Sequence, residues 1–180
     1  MTICNINQFL NLISKNQKVL MGIDLGVRRT GIAFSDPSRK FSLASKVINH
    51  VQKNFLNEIN EIVVEYDVGG IVMGIPLQEN IRQNKMSQSI KDKTKNLDFN
   101  LIKNNINVPI IFWDESYTSI SAIEKVKNIF GTKKKQKKMI DKFAAMEILQ
   151  DFLTYKSHLN EKKKITNLYR ESKFSTLQEF

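Results

Sequence analysis

Residues Gly70 to Ile75 form an unbroken apolar run that Pro76 stops. A strand of that kind is buried on both faces, so the chain must build a sheet with helices on each side. The flanking segments supply the parts. Val19 to Leu25 is a second apolar run, broken only by Asp24 and closed by Gly26. Thr30 to Ser35 and Phe41 to Ile48 read as two further strands, and the short connections predict a three-strand antiparallel meander. Val108 to Asp114 is a fifth strand.

Helical spacing fills the gaps between them. Ile3, Ile6, Phe9, Leu10 and Ile13 predict a short amphipathic helix in residues 1–18. Phe55, Leu56, Ile59, Ile62, Val63 and Tyr66 make a second apolar stripe. Residues 79–100 are polar and weakly periodic, which predicts a loop and an irregular helix. Ser121 and Glu124 match a capping box for a helix that Gly131 ends. Ala144, Ala145, Ile148, Leu149, Phe152 and Tyr155 mark a final helix, and no periodicity continues beyond Lys156. The expected fold is α/β, a mixed five-stranded sheet of an antiparallel meander plus two parallel strands, flanked by helices. Residues 1–18 read as a helical extension, 19–155 as one domain and 156–180 as a basic tail.

The formal charge of +10 on 180 residues makes a polyanion the default partner. It is unevenly placed. Lys133, Lys134, Lys135, Lys137 and Lys138 supply +5, predicted as a loop, and the tail supplies +3. The remainder of the chain carries only +2. A solvated basic loop is the plain alternative to a phosphate-binding one. A lone cysteine, Cys4, excludes an internal disulfide and a multi-cysteine zinc site and suits a reducing compartment. With no apolar run long enough to span a membrane and no secretory leader pattern, the expected location is the cytoplasm.

Three acidic features stand where acids are costly. Asp24 ends an apolar strand, Asp114 and Glu115 end another, and Asp141 shares a helix face with Ala144, Ala145 and Ile148. Taken singly, Asp24 suits a strand-end turn, Asp114 an Asx turn and Asp141 a helix N-cap. Taken together, parallel first, fourth and fifth strands bring them to one carboxyl edge, where open α/β sheets place their sites. Clustered carboxylates call for a cation, and hard oxygen ligands suit Mg²⁺ or Mn²⁺, which would serve phosphodiester hydrolysis. Strand alternation allows only one of Asp114 and Glu115 to reach the cluster, and pattern alone does not choose. Trp113 and Phe112 read as core.

Four segments carry a resemblance. Gly22-Ile-Asp-Leu-Gly-Val-Arg-Arg-Thr-Gly-Ile-Ala-Phe-Ser-Asp36, Val72-Met-Gly-Ile-Pro-Leu77, Asp114-Glu-Ser-Tyr-Thr-Ser119 and Asp141-Lys-Phe-Ala-Ala-Met-Glu-Ile-Leu-Gln150 follow one another in order. Together they resemble the ribonuclease H-like YqgF (RuvX) family over roughly residues 19–155. That resemblance implies a nuclease that matures the 5′ end of pre-16S ribosomal RNA, or a resolvase of Holliday junctions. It implies Asp24, Glu115 and Asp141 as catalytic and metal-binding acids, with Asp114 the alternative to Glu115. Arg28, Arg29 and the five lysines are the candidate nucleic-acid contacts. Three features depart from the family pattern: Ser116 in place of Arg, Glu79-Asn80 in place of Asp-Gly, and the extensions at both ends.

The expected partner is nucleic acid, with pre-rRNA ahead of branched DNA, and the expected state is a monomer or homodimer. A non-catalytic RNA-binding module for ribosome assembly is a third reading. A kinase-like ATPase built on Gly22 to Gly26 is set aside, because 180 residues leave no room for a second lobe.

Overall fold

A computed structural model describes residues 2–51, 54–76, 81–114 and 133–176. In chain order the elements are α1 (Ile6–Ser14), β1 (Val19–Leu25), β2 (Arg29–Ser35), β3 (Ser42–Asn49), α2 (Phe55–Glu65), β4 (Val68–Ile75), α3 (Ile81–Lys103), β5 (Ile110–Asp114) and α4 (Lys133–Thr176). The strands form one sheet in the order β3-β2-β1-β4-β5. β1 to β3 pair antiparallel, and β1–β4 and β4–β5 pair parallel. This is the mixed sheet that the apolar runs predict.

Each face of the sheet carries its own core. On one face Met21, Ile23, Ile71, Met73 and Ile110 pack against Ile59, Ile62 and Val63 of α2 and Ile90, Leu97 and Leu101 of α3. On the other, Leu20, Ala33, Val72 and Ile111 pack against Phe9 and Ile13 of α1 and Ala145, Ile148, Leu149 and Phe152 of α4. Every residue of β4 is buried, as its unbroken apolar run requires. Asn5 caps α1, accepting from Gln8 N while Gln8 Oε1 accepts from Asn5 N. Just before that cap, the chain pairs alongside β5: Cys4 N donates to Ile110 O, and Ile110 N to Thr2 O.

Three expectations need correction. In place of a loop and an irregular helix over residues 79–100, Ile81–Lys103 is one helix of 23 residues. The lysine segment 133–138 is the start of α4 rather than a loop, and the chain beyond Lys156 continues as helix to Thr176. Residues 133–176 contain neither Gly nor Pro, and 11 of the 44 are Lys, a strong helix former. Periodicity marks only packed faces, and neither 133–138 nor the segment beyond Lys156 carries an apolar stripe to read. The predicted helix after Ser121 lies outside the described residues. No described helix is long and apolar enough to cross a membrane.

Candidate active site

The carboxyl edge of the sheet is set by β1, β4 and β5. Along β1 the side chains alternate, so Leu20, Gly22 and Asp24 face α4 while Met21, Ile23 and Leu25 face the opposite core. Asp24 pairs in register with Gly31 of β2. A Cβ built on Gly31 would lie 1.9 Å from the Asp141 carbonyl oxygen, and one on Gly22 would lie 2.7 Å from both Ala145 O and Leu149 Cβ. Two glycines on neighbouring strands therefore let α4 rest against bare backbone. That close approach seats Asp141 beside Asp24.

The electrostatics record the proximity. Burial, reinforced by the Asp141 charge, pushes the Asp24 carboxyl up to about 6. No described residue donates a hydrogen bond to Asp24 that would offset this. Asp141 is better compensated, because Arg29 Nε lies 2.6 Å from its Oδ2. Both of those side chains are about one-fifth exposed. The contact is one of charge rather than an aligned hydrogen bond. Gly26, Val27, Arg28, Arg29 and Asp141 line a cleft of about 280 Å³ at this edge.

His50 fixes the turn that carries the two arginines. Its Nδ1 lies 3.2 Å from Val27 O and its Nε2 2.8 Å from Thr30 Oγ1. A carbonyl only accepts, so Nδ1 carries the proton; burial lowers the ring's pKa, leaving neutral Nε2 to accept from the Thr30 hydroxyl. His50 N also donates to Arg28 O. Sequence reasoning points to neither His50 nor the Arg29–Asp141 contact. A histidine with no motif around it carries no positional signal, and an ion pair between residues far apart in the chain has none.

Of the predicted site residues, Asp24, Asp141, Arg28 and Arg29 are brought to one edge. Asp114 is not. In β5, Ile111 and Trp113 pack on the α4 face and Ile110 and Phe112 on the other, so Asp114 follows Phe112 away from Asp24. Trp113 is core, as expected: it packs edge-on against Phe152 at 5.3 Å and donates from Nε1 to Asp151 Oδ2 at 2.8 Å. Glu115, Ser116 and the Glu79-Asn80 pair lie outside the described residues, as do the side chains of Lys133, Lys134, Lys135, Lys137 and Lys138. Among the described residues no group of three acids, histidines or cysteines converges in a way that would hold a metal ion.

A family model described as RuvX, Holliday junction resolvase, matches residues 18–155. A Mycoplasma mobile protein named "Putative pre-16S rRNA nuclease" is 38% identical over 136 residues, covering 74% of this chain and 90% of its own length. A Clostridium acetobutylicum protein of the same name is 35% identical, covering 74% and 96%. Among solved structures, RuvC from T. thermophilus in complex with a Holliday junction substrate superposes with a TM-score of 0.51 at 14% identity. That match covers 78% of this chain and 96% of RuvC. A likeness at that identity bears on the fold, which is the RuvC-like, ribonuclease H-like sheet.

Proposed function

The chain belongs to the RuvX family, and from that membership we propose that it is a cytoplasmic nuclease that hydrolyses phosphodiester bonds of pre-16S ribosomal RNA near its 5′ end. One observation of the structure carries the reading. Asp24 and Asp141, far apart in sequence, converge at the carboxyl edge of the sheet, beside Arg28 and Arg29.

The donor set fits a divalent cation. Both groups are hard oxygen donors, and a carboxyl raised to about 6 beside a second carboxylate marks a site short of positive charge. Asp24 and Asp141 would hold Mg²⁺ or Mn²⁺ together with Glu115. The alternation of β5 supports Glu115 over Asp114. The ion, when bound, supplies charge neutralisation and an activated water. The protein's own residues supply the rest. Asp24 is ionised above pH 6 and available as a ligand. Exposed Arg28 presents a guanidinium fork suited to a phosphate of the substrate. Arg29, held against Asp141, moderates the repulsion between the acids. The lysines that open α4 add a basic segment eight residues or fewer before Asp141, suited to the nucleic-acid backbone.

The test is cleavage of a precursor 16S transcript in Mg²⁺ or Mn²⁺. Asp24→Asn and Asp141→Asn should each abolish it, and full activity in both would overturn the mechanism. The family's description favours one second reading, resolution of four-way DNA junctions. Two symmetric cuts need two sites, so that reading requires a homodimer. Symmetric junction cleavage by a dimer, with the transcript left intact, would replace the first reading.

A further inference from the structure

Two neighbouring cavities lie at the opposite end of the sheet from the carboxylates. One, of about 440 Å³, is lined by the β2–β3 turn and α4 and includes Ser38, Arg39, Lys40, Lys156 and His158. The other, of about 520 Å³, lies between α1 and α4. The two share Arg39, Lys156 and Asn160. Arg39 is 9% exposed, and its φ of 54° turns its backbone so that the side chain enters the fold. Its guanidinium donates from Nη1 to Ile13 O, from Nε and Nη2 to Lys18 O, and from Nη2 to Asn16 Oδ1. All four bonds go to neutral oxygens.

A buried guanidinium cannot shed its proton, and buried charges are normally paired. Here the second charge is of the same sign. Burial and the nearby Arg39 both lower the pKa of Lys156. The neighbouring acids are committed elsewhere. Asp36 accepts from Ser38, Lys40 N and Phe41 N within its own turn. Asp67 pairs with Lys18 at 2.7 Å, Glu161 lies 3.8 Å from His158, and Asp151 accepts from Trp113. Among the described residues no carboxylate pairs with Arg39 or Lys156. Two cations, a third at Lys40, and the hydroxyl and amide groups of Ser38, Ser157 and Asn160 therefore surround open space. That composition suits a tetrahedral oxyanion with several acceptor oxygens.

We propose that these joined cavities are a second phosphate-binding site, which holds the backbone of the nucleic acid away from the point of cleavage. The proposal deepens the nuclease reading and rests on it for the identity of the ligand. From Asp141 to Lys156, α4 rises about 22 Å, a span of roughly six nucleotides along one strand at about 3.4 Å each. The site would then select substrates with structure extending that far from the scissile bond.

The experiment uses the full chain and the variant Lys40→Gln/Lys156→Gln, which spares Arg39 because Arg39 ties α1 to the start of β1. Binding is measured in chelator, without cleavage, to an RNA duplex of twelve base pairs on either side of the target bond and to one of three. For the long duplex the slope of log affinity against log salt should fall by about 1 to 2, with a matching loss of affinity. For the short duplex it should not change. Equal slopes for parent and variant on the long duplex, or equal losses on both, would overturn the site. So would displacement of Lys156 resonances by inorganic phosphate with no change on the long duplex, which would assign the cavities to a free phosphate. Failure of the nuclease reading is seen separately, as absence of metal-dependent cleavage by a parent protein that still binds.

Discussion

Replacing Asp24 with Asn should make the metal-free protein more stable while abolishing cleavage. The carboxyl titrates at about 6 in the folded chain against an ordinary 3.8. A raised carboxylate pKa means that the folded state holds its proton where the unfolded state has released it. Stability therefore falls as pH rises from about 4 to about 6 and stays reduced above that. The difference amounts to about 3 kcal/mol at neutral pH, an upper figure because Asp24 keeps some exposure to water. Asparagine has the same shape and no charge, so it removes this cost. At about 2–4 °C per kcal/mol for a chain of this size, the variant should melt up to about 6–12 °C above the parent at pH 7. Below pH 4 the two should coincide. The assay is thermal unfolding followed by circular dichroism in chelator and low salt, at pH 3.5, 5 and 7. Mn²⁺ should then raise the melting temperature of the parent far more than that of the variant. If Asp24→Asn melts at or below the parent at pH 7, Asp24 is not a poorly compensated charge, and the reasoning fails.

Three further outcomes follow from the same geometry. Gly31→Ala should cost about 1–3 kcal/mol and reduce cleavage, because its methyl meets the Asp141 carbonyl; a melting temperature equal to the parent's would show that α4 does not need bare backbone there. Arg29→Gln removes the cation that competes for Asp141, so Mn²⁺ affinity measured by calorimetry should rise by about tenfold; weaker binding would instead make Arg29 a support of the site. Exchanging Lys133, Lys134, Lys135, Lys137 and Lys138 for Gln should lower the salt slope of RNA binding by up to about 0.7 for each single-strand phosphate that a lysine no longer neutralises; an unchanged slope would make the lysines a solvated helix end.

How much of the fold and the site is legible in the sequence depends on whether the signal is local. The apolar runs carry the strands, and short links force the first three into a meander, whereas the order β3-β2-β1-β4-β5 is seen only in the structure. Parallel β1, β4 and β5 then bring Asp24 and the end of β5 to one edge. The choice between Asp114 and Glu115 is not local. Phe112 and Trp113 are both bulky and aromatic, so nothing in the sequence says which of them faces α4. Once packing assigns Trp113 to Phe152 and Phe112 to the other core, the direction of Asp114 follows. Gly22 and Gly31 are the signal that can be read further. Glycine inside a strand weakens it unless another backbone must come close, and two of them flank Asp24 in space, one on its own strand and one as its register partner. They imply a helix seated against the sheet at that point before any helix is assigned there. The acidic pair is thus a consequence of helix-to-sheet distance. With larger side chains at Gly22 and Gly31, α4 would stand further off. Asp24 and Asp141 would then separate, and the raised pKa that marks the site would relax.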